Sequence, residues 1–304
     1  MRARELASAF GGLLKASAVE WWKDNTFRMS AALAFYMIFS LSPLLVIAVG
    51  AAGLIFGETQ ARERISSELG RLIGPQGGDA VEQAIEQSQF STGSPWAVTI
   101  GVVTLVIGST VVFAELQAAL NQIWDVKVVP KRFGIWKVVR DRLLSFGLVL
   151  VVSLLLLVSL LISALLGAAE ARLADWVPHA APAWQWANQG AFILIGTVLF
   201  ALIYRYLPDV RIGWRDVAVG AAVTSVLFNV GKYLIGLYLG QTAGASTYGA
   251  AGSLAVFLIW MYYSALICFF GAEFTQVFAR KYGSRIRPSS QAVRVGDKPD
   301  EVEA

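Results

Sequence analysis

Three ionisable residues fall well inside long apolar runs of this 304-residue chain: Glu115, Lys232 and Glu273. A charge in an apolar span is costly unless it is paired or faces a polar pathway, so each is a candidate for function. Glu115 lies toward the end of the run 96–120, and Glu273 toward the end of the run 252–278. Both then stand at similar depth near the cytoplasmic side, where two carboxyl groups sharing one site would make a proton relay or a cation site. The structural alternative is that each acid snorkels to the interface or pairs with an arginine such as Arg140 or Arg280. Lys232 follows Asn229 by one turn on the same helical face. A cation beside an amide suits an anionic group such as a phosphate. Lys232 lies about 24 Å along its span from the cytoplasmic end, too far out to pair with Glu273. Its plain alternative is a lysine snorkelling to the outer headgroups.

A second set of residues bears on how helices approach or bend. Gly236 and Gly240 form a GxxxG pattern, Gly249 and Gly252 follow it, and Gly271 lies in the last run. Small residues permit close helix packing; a hinge or a broken helix is the functional alternative. Pro43, after Ser42, is placed to kink the first run.

Positioning these residues requires a membrane scaffold. Hydrophobic residues make up 56% of the chain and charged residues only 15%, against about 25% charged in a soluble domain. The apolar runs read as six transmembrane helices, at about 29–56, 96–120, 143–166, 186–207, 217–239 and 252–278. The fold class expected is therefore an all-α membrane protein, six spans at 29–279 preceded by an interfacial amphipathic helix at 1–28. In that helix Leu6, Phe10, Leu13, Leu14 and Trp21 share one side, interrupted by Ser17. Residues 57–94 read as an outer amphipathic loop and 280–304 as a disordered cytoplasmic tail. No cleavable signal peptide is evident. The single histidine, His179, excludes multi-histidine metal chemistry, and the single cysteine, Cys268, excludes an intramolecular disulfide. No metal and no cofactor are expected.

Orientation follows from the basic residues. Lys and Arg number five before the first span, six between the second and third, three around the fourth-to-fifth connection and six in the tail. The other three connections hold three, one and none. This asymmetry places both termini in the cytoplasm of a bacterial inner membrane and requires an even number of spans.

Several segments in this order resemble the YihY/BrkB family of bacterial membrane proteins. They are Ser30 to Tyr36 continuing through Phe39 to Leu44; Tyr206-Leu207-Pro208 with Trp214 and Gly220; Lys232 with Tyr238; and Tyr248 to Ser253 followed by Trp260, Tyr262 and Gly271-Ala272-Glu273. The resemblance covers about residues 18–283. It implies a six-spanning protein, in agreement with the count made from the apolar runs. Some members carry a ribonuclease BN label, which this sequence does not support. Hydrolysis of RNA by metal-activated water needs a cluster of His, Asp or Glu ligands, and the basic loops are explained by topology. No nucleic-acid partner and no enzyme activity are expected. Other members are linked by name to virulence and envelope integrity, which implies transport of a lipid or another envelope component. Glu115, Asn229, Lys232 and Glu273 would form the pathway, and membrane lipids, anionic ones included, would be the partners. A non-transporting envelope-assembly scaffold is the alternative. Six spans suit a monomer and a homo-oligomer equally.

Overall fold

Long apolar stretches without interior proline, opened by proline and closed by basic or polar residues, fold here as helices. A computed structural model describes residues 2–38, 95–128, 181–242, 249–283, 286–289 and 292–295, with scattered positions between 57 and 82. The helices are α1 (Arg2–Lys23), α2 (Thr26–Ile38), α3 (Pro95–Ile123), α4 (Ala181–Tyr206), α5 (Trp214–Thr242) and α6 (Gly249–Tyr282). Pro95 and Pro182 stand in the first turns of α3 and α4, where a missing N–H costs nothing. Asp216 in the first turn of α5, and Arg280 and Lys281 in the last turn of α6, complement the helix dipoles.

Three stretches are long and apolar enough to cross a membrane: Gln189–Tyr206, Trp214–Leu237 and Ala255–Tyr282. They overlap the expected fourth, fifth and sixth spans, the fifth beginning earlier, at Trp214, and the sixth running on to Tyr282. The expected second span is helical throughout as part of α3, and the first is helical through Ile38. The rest of the first span, with Pro43, and all of the third lie outside the described residues.

The chain divides into two units, 1–24 with 117–227 and 268–304, and 25–116 with 228–267. In the first unit, α5 and α6 are held by a reciprocal pair of contacts. Gly220 of α5 lies against Thr275 of α6, and Gly271 of α6 lies against Thr224 of α5, so closely that an added Cβ at either glycine would overlap the threonine hydroxyl. Each threonine donates its hydroxyl to the carbonyl of the glycine four residues earlier on its own helix, both at 2.7 Å. The polar groups are thereby satisfied inside the packed seam. Tyr204 of α4 closes the cluster, donating its hydroxyl to the Cys268 carbonyl at 2.7 Å and lying 3.1 Å from the Thr224 hydroxyl.

The same unit carries four short strands: β1 (Val126–Val128), β2 (Val210–Arg211), β3 (Arg287–Pro288) and β4 (Ala292–Arg294). β1 pairs antiparallel with β4, and β2 with β3. Backbone bonds from Ser289 to Asp209 and from Val295 to Asp125, each 2.9 Å, extend the pairing. The tail is thus ordered across residues 286–289 and 292–295, contrary to the expectation of disorder from residue 280 onward. Strands of two or three residues are too short to leave a periodic signature, and their order comes from partners far away in sequence. The pairing draws the ends of α3, α4 and α6 to one face.

In the second unit α5 and α6 also pack closely. The Phe228 and Trp260 rings meet edge to face at 6.2 Å, and Gly231 makes room for Tyr263 and Ile267.

Candidate functional site

Glu273, Gln276 and Arg280 recur at helical spacing along one side of α6, and in the first unit that side meets the C-terminal ends of α1 and α3. Both ends stop the same way. Asn25 follows α1 and Asp125 follows α3, each in the left-handed backbone region with φ of 55° and 51°, a conformation that Asn and Asp tolerate better than most residues. The Gln122 side chain donates to the Asp24 carbonyl at 2.8 Å, tying the two helix ends together and satisfying one of α1's open carbonyls. Aromatic contacts bring α1 onto α6: Phe10 meets Phe274 at 5.8 Å and Trp21 meets Phe270 at 6.0 Å. These contacts lie eleven residues apart on α1 but four on α6, about 16 Å against about 6 Å of helix. The two helices therefore cross instead of running side by side.

Gln276 and Arg280 are engaged. Gln276 donates to the Ile123 carbonyl and, at 3.2 Å, to the Asp125 carboxylate. Arg280 forms an ion pair with Asp125. Glu273 differs. Its side chain is fully buried, and among the described residues neither carboxyl oxygen receives an N–H or hydroxyl donor. The charged groups that act on it most are the acids Asp24, Glu20 and Asp125, with Asp24 nearest in effect. The Asp24 carboxyl lies close enough for a carboxyl–carboxyl hydrogen bond, which forms only when one of the two carries a proton. Burial, above all, raises the Asp24 carboxyl over the ordinary aspartate range; the Glu273 contact and the Arg280 charge oppose this, and the Asp125 and Glu20 charges add to it. Lys23 is occupied with Glu20 at 2.9 Å on the exposed side of α1.

A second buried acid completes this face. Asp209 accepts from the side-chain amides of Gln117 at 3.2 Å and Asn121 at 3.0 Å, and its own N–H donates to Asn121 at 2.7 Å. Gln117 and Asn121 stand one turn apart on α3.

The remaining expected residues distribute as follows. The anticipated Arg280 pairing is made with Asp125, not with Glu273. Glu115 belongs to the second unit and is half-buried on α3. Lys232 lies there too, in a shallow dent with no room for a water molecule, lined also by Phe228, Trp260, Tyr263 and Ser264, and Asn229 is one turn away on α5. Gly240 is helical near the C-terminal end of α5, and Gly249 and Gly252 are helical at the start of α6. Among the described residues nothing approaches Gly236 closely, whereas Gly271 is tightly packed. Arg140 lies outside the described residues.

Asp24, Asp125, Gln276, Asp209 and Asn121 were not singled out from the sequence. They sit at or beyond helix ends, or are uncharged, so a search for charges inside apolar runs passes over them. Only Gln276 carries a local signal, its helical spacing between Glu273 and Arg280.

Comparison with known proteins identifies relatives of this chain. Residues 17–295 match the family described as virulence factor BrkB. A UPF0761 membrane protein of Pseudomonas aeruginosa is 28% identical over 257 residues, covering 82% of this chain and 58% of the relative. One from Rhodospirillum centenum is 28% identical over 269 residues, covering 87% and 56%. One from Paraburkholderia xenovorans is 25% identical over 280 residues, covering 90% and 62%. The chain spans somewhat over half the length of these relatives. No solved structure matches it. With the match running from α1 to the paired tail, the chain belongs to the BrkB virulence-factor family and is an integral membrane protein of that family.

Proposed function

We propose that this protein is a six-span inner-membrane transporter, or translocator, of a lipid or other envelope component, with both termini in the cytoplasm. The observation that carries the reading is Glu273. A fully buried acid with both oxygens unbonded costs several kcal/mol, about 2–7 for even an uncharged polar group. Buried polar groups in native proteins are nearly always bonded. An acid left without bonds within a candidate span is accounted for by a working role in moving a solute or ion.

Other features support the topology. The ends of α3, α4 and α6 share one face through the tail strands, and α1 ends there as well through Gln122. If each long helix crosses the bilayer, the chain must cross once more between α1 and α3 and once more between α3 and α4, which makes six. The basic residues Lys127, Arg211, Arg215, Arg280, Lys281, Arg287 and Arg294 cluster around that face in sequence, as expected for the cytoplasmic side. Trp186 and Tyr206 stand exposed twenty residues apart on α4, about 30 Å of helix, which matches the hydrocarbon thickness. Val226, Val230, Leu234 and Leu237 form an exposed apolar stripe on α5, suited to lipid.

Lys232 shares the lining of one shallow dent with Tyr263 and Ser264, residue types that suit contact with an anionic headgroup at the helix surface. The test is translocation of a headgroup-labelled anionic phospholipid in proteoliposomes. Wild type moves the label, and Glu273→Gln and Lys232→Met each slow it at least tenfold. Movement that both variants retain would remove the mechanism. No movement by correctly folded wild type would favour a scaffold that does not transport.

A further inference from the structure

We infer that Glu273 and Asp24 form a carboxyl pair that binds one proton, and that this proton is the ion coupled to transport. The second half rests on the translocator reading above; the first does not.

The site is built from three elements. Glu273 comes from α6, Asp24 from the end of α1, and Asp125 with Arg280 forms its rim. Glu273 is fully enclosed and has two unbonded oxygens. Oxygen acceptors held in such a place lack a donor. A proton on one of the facing carboxyls supplies that donor and removes one of two like charges. The nearby cations are engaged by other acids, and the Arg280 charge favours ionised Asp24 less than the Asp125 and Glu20 charges oppose it. Arg280 binds Asp125, and Lys23 binds Glu20. The groups acting most strongly on Glu273 are all acidic: Asp24, Glu20 and Asp125. A metal ion fits the site less well. Among the described residues no three His, Cys, Asp or Glu side chains converge to hold one, whereas a proton needs only two oxygens.

The position allows exchange. Asp24 is partly open where α1 turns into α2, and Glu273 is sealed behind it. On release the carboxyl O–H bond breaks, its electron pair stays on the carboxylate oxygen, and the proton passes to water at this face. The site then holds two negative charges instead of one. That electrostatic change falls where α1, α3 and α6 are tied together by Gln122 and Gln276. Loss of the proton therefore favours separation of these helix ends.

The test has two arms, both on the full chain in lipid. Infrared spectra across a pH series read protonated carboxyl directly. Wild type shows one protonated carboxyl band that disappears as pH rises. Glu273→Gln lacks the band while melting no lower than wild type, and Asp24→Asn shifts its frequency and midpoint. Should Glu273→Gln fail to fold, the Asp24→Asn shift alone decides. No such band in wild type, an unchanged band in Glu273→Gln or Asp24→Asn, or loss of the band on adding sodium at fixed pH would overturn the proton site. In the second arm, an imposed pH gradient speeds translocation several-fold in wild type and not in Asp24→Asn. Translocation indifferent to the gradient, with the band present, overturns the coupling alone. No translocation at all, with the band present, overturns the translocator reading and the coupling, and leaves the proton site standing.

Discussion

Asp209 and Glu273 are both buried acids in the unit where α3, α4 and α6 end, yet their surroundings are opposite. Asp209's carboxylate receives the amides of Gln117 and Asn121, and its backbone is bonded on both sides. Among the described residues, Glu273's carboxyl oxygens receive no N–H or hydroxyl donor and meet the Asp24 carboxyl instead. The same side-chain chemistry at similar burial thus has two uses. Donors placed around Asp209 convert a costly group into a clasp that fixes the α4–α5 connection to α3. With no donor, Glu273 keeps its desolvation cost, a pattern that functional sites show and structural ones avoid.

The sharpest break of this comparison is Glu273→Gln. The amide fills the same space without a charge, so translocation drops at least tenfold while thermal stability holds or rises. The rate in proteoliposomes and the melting temperature in detergent check the two halves. The mirror case is Asp209→Ala. It strands the buried Asn121 amide and the half-buried Gln117 amide and should cost about 1–3 kcal/mol, read as a lower melting temperature, with the rate per folded molecule little changed. Gly220→Ala comes next. Its Cβ would overlap Thr275, and such overpacking costs about 1–3 kcal/mol. The double change Gly220→Ala with Thr275→Ala should recover part of that loss, and a double-mutant cycle measures how much. The smallest effect concerns pH. Asp24 holds its proton more tightly folded than unfolded, so its contribution is complete at low pH and is lost as pH rises through its raised value. Melting temperature should fall across that interval in wild type, and Asp24→Asn should flatten the fall.

These contrasts also show what was readable beforehand. The apolar runs announced α3, α4, α5 and α6 within a few residues, because a span of some twenty apolar residues is a strong one-dimensional signal. Glu273 was legible for the same reason: a charge inside such a run stands out. Its neighbours were not. Asp24 and Asp125 look like ordinary helix-terminal polar residues, and only folding brings α1, α3 and α6 together to make them a site. The amides around Asp209 are uncharged and distant in sequence, so nothing local marks them as partners. The tail strands are two and three residues long, and order in such short pieces comes from long-range pairing, not from composition. The glycines divide similarly. Gly271 is needed for close approach, and Gly236 has open space beside it, a distinction that the spacing pattern cannot make.

The most direct test measures melting temperature and lipid translocation side by side for Glu273→Gln and Asp209→Ala. The account predicts opposite outcomes: Glu273→Gln stays folded and stops transporting, whereas Asp209→Ala loses stability and still transports when folded. Glu273→Gln that transports at the wild-type rate, or that unfolds as Asp209→Ala does, would make Glu273 a structural residue and contradict the account.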